Sequence, residues 1–158
     1  MAKFVSVEVT PTCFVGALDR GEVLFDLTEV KGVVPTHGGS ALLKSVTYID
    51  LDDQVPSGGA AILFFKKGLN SIGSLGAPPN ITDANLIANE YLGDVTVPAP
   101  AAGTKGDLIA SYSQSVNNVD LVIDTADGSN SIYIASTSGA TQTRTAEGLR
   151  IRLGFEVN

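Results

Sequence analysis

Leu149-Arg150-Ile151-Arg152-Leu153-Gly154-Phe155-Glu156-Val157 is the stretch that decides the fold. Leu149, Ile151, Leu153, Phe155 and Val157 are apolar, and Arg150, Arg152 and Glu156 stand between them. Successive side chains of a strand point to opposite faces, so this period of two predicts a β-strand with one buried and one wet face. A slip of one residue would put every apolar side chain of the set into water, so the register is firmly specified. A strand at the end of a chain needs a neighbour on each side to hold it, which predicts a central place in a sheet.

The rest of the chain repeats the strand signal. Val5, Val7 and Val9 alternate with Ser6 and Glu8 until Pro11 stops the run. Glu22 to Leu27 is a second short segment, followed by a breaker-rich loop from Lys31 to Ser40. Leu42 to Leu51 reads as a long strand, with Val46 and Tyr48 on one face and Thr47, Ile49 and Leu51 on the other. The turn residues Pro56-Ser57-Gly58-Gly59 separate it from Ala60 to Phe65, which predicts an antiparallel pair between the two runs. Asp94 to Val97 and Asp107 to Tyr112 are further strands, on either side of an Ala- and Pro-rich loop from Pro98 to Gly106. Val119 to Thr125 and Ser131 to Ser136 flank an Asp127-Gly128 turn, which predicts a hairpin. Ser136 to Glu147 is polar and Thr-rich and reads as exposed.

One helix is expected at about residues 82–92. Thr82 supplies the cap, Asp83 sits in the first turn where the helix dipole favours an anion, and Ile87 and Tyr91 share a face. Gly93 stands where a left-handed C-terminal residue is expected. The chain is therefore mainly β: an antiparallel β-sandwich or jelly-roll-like barrel with one short helix, in a single domain over residues 1–158.

Composition narrows the function. Of the 158 residues 44% are hydrophobic and only 17% charged, which suggests that part of the surface is covered by other copies or by another protein. The net charge of −7 disfavours nucleic acid and anionic membranes as partners. The ten Lys and Arg residues are scattered, the densest groups being Lys66-Lys67 and the triplet Arg144, Arg150 and Arg152. No export signal and no apolar run long enough to span a bilayer is visible, so synthesis in a cytoplasm is expected.

The chemistry-bearing residue types are few. Cys13 is the only cysteine and His37 the only histidine, so no zinc ligand set is available and no metal or cofactor is expected. Cys13 reads as a small buried residue. Asp50, Asp52 and Asp53 form the densest acidic cluster; they read as a solvated strand end, with an ion site as the alternative. His37-Gly38-Gly39-Ser40 superficially resembles an esterase oxyanion loop, but the chain has no G-x-S-x-G elbow, so a turn is expected. Gly73-Ser74-Leu75-Gly76 lacks the ending of a phosphate-binding loop. Asn80-Ile81-Thr82 matches a glycosylation sequon, which is idle without secretion. No catalytic residue is assigned, and the chain is expected not to be an enzyme.

The segments Val46-Thr47-Tyr48-Ile49-Asp50-Leu51-Asp52-Asp53-Gln54, Ile62-Leu63-Phe64-Phe65, Asn80-Ile81-Thr82-Asp83-Ala84-Asn85 and Leu92-Gly93 together resemble a pattern in small virion structural proteins of tailed bacteriophages. The resemblance covers about a third of the chain, from Val46 to Val97. It implies a capsid-associated protein, most often a head decoration or cement protein on the outside of the shell, and it carries over no catalytic residue. The implied partners are the major capsid protein and the chain itself, as a homotrimer or dimer. Other virion parts (tail tube, head–tail connector or fibre base) remain open, as does a soluble ligand-binding or hydrolytic β-domain using Asp52 or Asp53.

Overall fold

The computed structural model describes residues 2–52, 59–99, 107–108 and 111–157. They form β1 (Lys3–Val9), β2 (Gly16–Leu18), β3 (Val23–Val30), β4 (Ser40–Asp50), β5 (Ala60–Phe65), α1 (Asp83–Ala88), β6 (Tyr91–Val97), β7 (Asp107–Leu108), β8 (Ser111–Asp124), β9 (Ile132–Ser138), β10 (Gln142–Arg144) and β11 (Leu149–Val157). One sheet has the order β1-β11-β4-β8-β7, a second has the order β3-β9-β5-β6, and β2 pairs with β10.

The eight longer strands obey one rule. The first pairs with the last (β1 with β11), the second with the next to last (β3 with β9), the third with β8 (β4) and the two middle ones with each other (β5 with β6), all antiparallel. The chain is therefore one long antiparallel ribbon, folded back at residues 66–90 and wound into two sheets, which is jelly-roll topology. The crossovers between sheets are paired too. Val33 N–H donates to the Asn130 carbonyl at 3.0 Å, and Gly38 N–H to the Ser129 carbonyl at 2.8 Å. At the opposite end, β2 and β10 carry the ribbon across in the register Gly16↔Arg144, Ala17↔Thr143, Leu18↔Gln142.

β11 is central, between β1 and β4, as expected. Its five apolar side chains are at most 1% exposed. They pack in one core with Leu43, Val46 and Tyr48 of β4 and with Ile62, Phe64, Ile132 and Ile134 of the opposite sheet. Each such side chain contributes about 1.5–3 kcal/mol by leaving water. β4 changes the parity of its inward face between Leu43 and Val46, through a register shift against β8. The extra β8 residues include Asn118 and Asp120, both at positive φ, a conformation these short polar side chains tolerate.

Two expected pairings are corrected. β4 and β5 do not pair, because β4 lies in the five-stranded sheet and β5 in the four-stranded one. β8 and β9 do not form a hairpin for the same reason; the Asp127-Gly128 turn carries the chain from one sheet to the other. Turn residues reverse the chain, but they do not choose its hydrogen-bonding partner. Pro56, Ser57 and Gly58 lie outside the described residues.

The helix is shorter than expected. Thr82 caps it, its hydroxyl accepting from Asn85 N–H at 3.2 Å, but α1 ends at Ala88. Asn89 closes it, and the left-handed residue is Glu90 (φ 52°), so Tyr91 begins β6 instead of extending the helix. Asn89 is fully buried and pins the covering segment: its side-chain oxygen accepts from Asn70 N–H at 2.9 Å and its amide donates to the Asn70 carbonyl at 2.6 Å. Ile72, Ile81 and Leu86 of this segment pack over Phe65, Ala135 and Leu63, so the outer side of the four-stranded sheet is covered by the chain itself. Among the described residues no helix is long and apolar enough to cross a membrane.

Candidate interaction surface

Among the described residues, no segment covers the outer side of the five-stranded sheet in this way. Cross-strand register places Phe4, Glu156, Leu42 and Val122 in one row across β1, β11, β4 and β8. Phe4 is 73% and Val122 59% exposed. Two shallow grooves of about 270 Å³ each lie along this row. One is lined by Ser40, Leu42, Val122 and Glu156, the other by Phe4, Ser6, Lys44, Ser45 and Gly154. Gly154 shapes the second, since a Cβ there would meet the Ser45 hydroxyl at 2.4 Å. Lys44 pairs with Asp120 at the β4–β8 irregularity. Beyond the row of Ser6 and Gly154 comes Glu8 on β1, whose carboxylate accepts from Arg152 Nη2 at 2.8 Å and Arg150 Nη1 at 3.4 Å. The Arg152 hydrogen bond, with help from Arg150, holds the Glu8 carboxyl below its usual value. The face thus mixes exposed apolar side chains with charged ones, Glu156 standing within the first row and the Glu8–Arg150–Arg152 ion pairs beyond it.

Arg144 belongs to a different place from its sequence neighbours. It points inward from β10, is 2% exposed, and closes one end of the sandwich. Its Nη1 lies 2.6 Å from Asp50 Oδ1 and 3.6 Å from Asp52 Oδ2. Its Nε donates to Gln142 Oε1 at 2.8 Å, its Nη2 donates to the Tyr48 hydroxyl, and its guanidinium carbon stands 5.5 Å from the Tyr48 ring centre. Burial opposes the guanidinium charge most strongly, but Tyr48, Asp50 and Asp52 together outweigh it and raise its pKa. Among the described residues, Nη1 is held by these ion pairs and Asp50 Oδ2 is buried without a hydrogen-bond partner. Asp52 is anchored further by Thr145 N–H at 3.1 Å, and Asp50 Oδ1 accepts from Asp52 N–H at 2.9 Å.

This corrects two expectations. Asp50 and Asp52 are not a solvated strand end: Asp50 is fully buried and the Asp52 side chain is 6% exposed, both held by Arg144. Asp53 lies outside the described residues. The stretch from Ser136 to Glu147 is not uniformly exposed, because Ser136, Ser138, Gln142 and Arg144 are buried. One sequence signal pointed here. Asp50 follows Val46 and Tyr48 at steps of two, on the inward face of β4, and a carboxylate there requires a buried cation.

Cys13 is 2% exposed, and burial pushes its thiol up to about 12. His37 is exposed in the crossover loop, where Gly38 (φ 71°) makes the turn. Among the described residues no group of three or more His, Cys, Asp or Glu is placed to hold a metal ion.

No protein-family profile matches the chain, and no curated protein matches it in sequence. Solved structures align with it at low identity. A chain of tomato aspermy virus aligns over 98% of this chain and 76% of its own length, at 13% identity and a TM-score of 0.42. The PRD1 vertex protein P5 aligns over 98% of this chain and 96% of its own length, at 12% identity and a TM-score of 0.39. A chain of the cyanophage Pam1 capsid asymmetric unit aligns over 100% of this chain and 84% of its own length, at 15% identity and a TM-score of 0.31. The jelly-roll assignment rests on the strand order given above.

Proposed function

We propose that this chain is a non-enzymatic structural protein of a phage virion. In this reading it is a head decoration protein that binds the outside of the major capsid protein lattice, self-associates, and stabilises the shell. The observation that carries the reading is the asymmetry of the two sheets. The four-stranded sheet is covered by residues 66–90, while among the described residues nothing covers the five-stranded sheet, whose outer face carries Phe4, Leu42 and Val122 in one row with Glu156. A protein that binds a broad surface needs a rigid body and a flat adhesive face, and this architecture supplies both. The space between the sheets is filled by Phe25, Tyr48, Phe64 and Phe155, so the core serves packing. The resemblance of residues 46–97 to small virion proteins of tailed phages supports the same role.

The test is reconstitution. Purified chain added to particles assembled without it binds at a fixed copy number and raises the temperature at which the shell ruptures. The variant Val122→Glu keeps its fold, because the side chain is exposed, and binds more weakly. Failure to bind, or binding that leaves shell stability unchanged, contradicts the proposal.

A further inference from the structure

We infer that β1 is the seam of a two-fold dimer, in which the five-stranded sheets of two copies join edge to edge. The inference rests on the self-association proposed above and says where it occurs.

The two main sheets have four edges: β1, β7, β3 and β6. Three of them are short or irregular in the ways that discourage further pairing. β7 has two residues, β3 breaks register against β9 twice, and β6 is irregular opposite Phe64 and Phe65. β1 is different. It runs for seven residues with unbroken register against β11, from Lys3↔Val157 to Val9↔Ile151. Among the described residues, no hydrogen bond besides those to β11 engages the β1 backbone. Its inward Val5, Val7 and Val9 remain partly exposed, although their register partners Phe155, Leu153 and Ile151 are fully buried. An open backbone edge with half-covered apolar side chains calls for another strand.

The sequence of β1 suits a second copy of itself. Antiparallel pairing within one continuous sheet sets outward residues opposite outward ones. Centred on Ser6, it places Ser6 opposite the partner's Ser6, Val5 opposite the partner's Val7, Phe4 opposite the partner's Glu8 and Lys3 opposite the partner's Val9. All seven residues are used, Val5 and Val7 cover one another, and no like charges meet. Centring on Lys3 or Glu8 would oppose like charges, and centring on Phe4, Val5 or Val7 would leave part of the strand unpaired. Glu8 is already neutralised by Arg150 and Arg152 of its own subunit, so its charge does not guard the edge.

The experiment is sedimentation of the purified chain together with cysteine cross-linking. The chain sediments as a dimer. Ser6→Cys, at an exposed position, links to its counterpart under mild oxidation or with a short bis-maleimide. It does so roughly tenfold faster than Val122→Cys, because directly opposed side chains lie within cross-linking reach. Phe4→Cys/Glu8→Cys links as the double variant and not as either single one. The native thiol stays silent because Cys13 is buried. A chain that sediments as a monomer overturns the seam, and so does a dimer in which Ser6→Cys links no faster than Val122→Cys. The second outcome leaves self-association standing, and neither bears on whether the chain binds particles.

Discussion

Arg144 and the pair Arg150 and Arg152 lie close together in sequence, and each meets carboxylates, yet the two regions are physically opposite. Arg144 is sealed between β10 and the end of β4, with Asp50 fully buried beside it. Arg150 and Arg152 lie on the open face with about half of each side chain in solvent, and they hold a Glu8 that is also in contact with water. In a dry site a charge that loses its partner cannot be solvated; on a wet face water and salt replace the partner. The first cluster therefore fixes the crossover end of the ribbon, while the second lies on the open outer face and is expendable to the fold.

The largest effect is expected from Arg144→Ala, which leaves Asp50 buried and uncompensated. Denaturant unfolding should show a loss of about 3–5 kcal/mol, and the melting temperature should fall by roughly 10 °C. The double variant Arg144→Met/Asp50→Leu should lose less than Arg144→Ala alone, because it removes the orphaned charge together with its partner. Gly148→Ala comes next. A Cβ at Gly148 would collide with the Asp52 carboxylate, so the whole carboxyl must move away from Thr145 and Arg144. The expected cost is about 1–3 kcal/mol, read in the same unfolding experiment.

Cys13 sharpens the contrast through pH. Its folded pKa is raised, so the folded state keeps the proton that the unfolded state loses. Its contribution is complete below the ordinary thiol value and is lost as pH rises towards about 12, at about 1.4 kcal/mol per pH unit. Stability profiles of the parent and Cys13→Ala should converge by that slope in alkali; parallel profiles would contradict a buried neutral thiol. The smallest effect is expected from Glu8→Gln. Its pKa is lowered in the fold, so its contribution is present at neutral pH and is lost as pH falls through the carboxylate range. Unfolding at low and high salt should show a cost under about 1 kcal/mol that shrinks as salt is added.

How much of this was legible in the sequence follows from which signals are local. β11 was legible to the residue, because its strict alternation reports a single buried face. The Thr82 cap was legible for the same reason, since a cap is a contact three residues away. Strand pairing was not. In a wound ribbon β4 pairs with β8 and β11, far along the chain, and nearby turns such as Asp127-Gly128 mark crossovers that look like hairpins. The C-terminal end of α1 was lost to Asn89, whose buried amide is claimed by the loop at Leu69 and Asn70. Arg144 was hidden among threonines. Only Gln142 and Arg144 at a step of two, together with Asp50 on an inward face, carried a trace of the buried cluster. The outer face that the described residues leave open could not be read at all, because openness is set by what the rest of the chain covers.

The most direct test of the proposed role is a cryo-electron microscopy map of purified particles that carry this chain. The account predicts density for the two-sheet sandwich on the outside of the capsid lattice, with the β1-β11-β4-β8 face in contact with protein. Density confined to the tail or connector, or absence of the chain from particles, would contradict it.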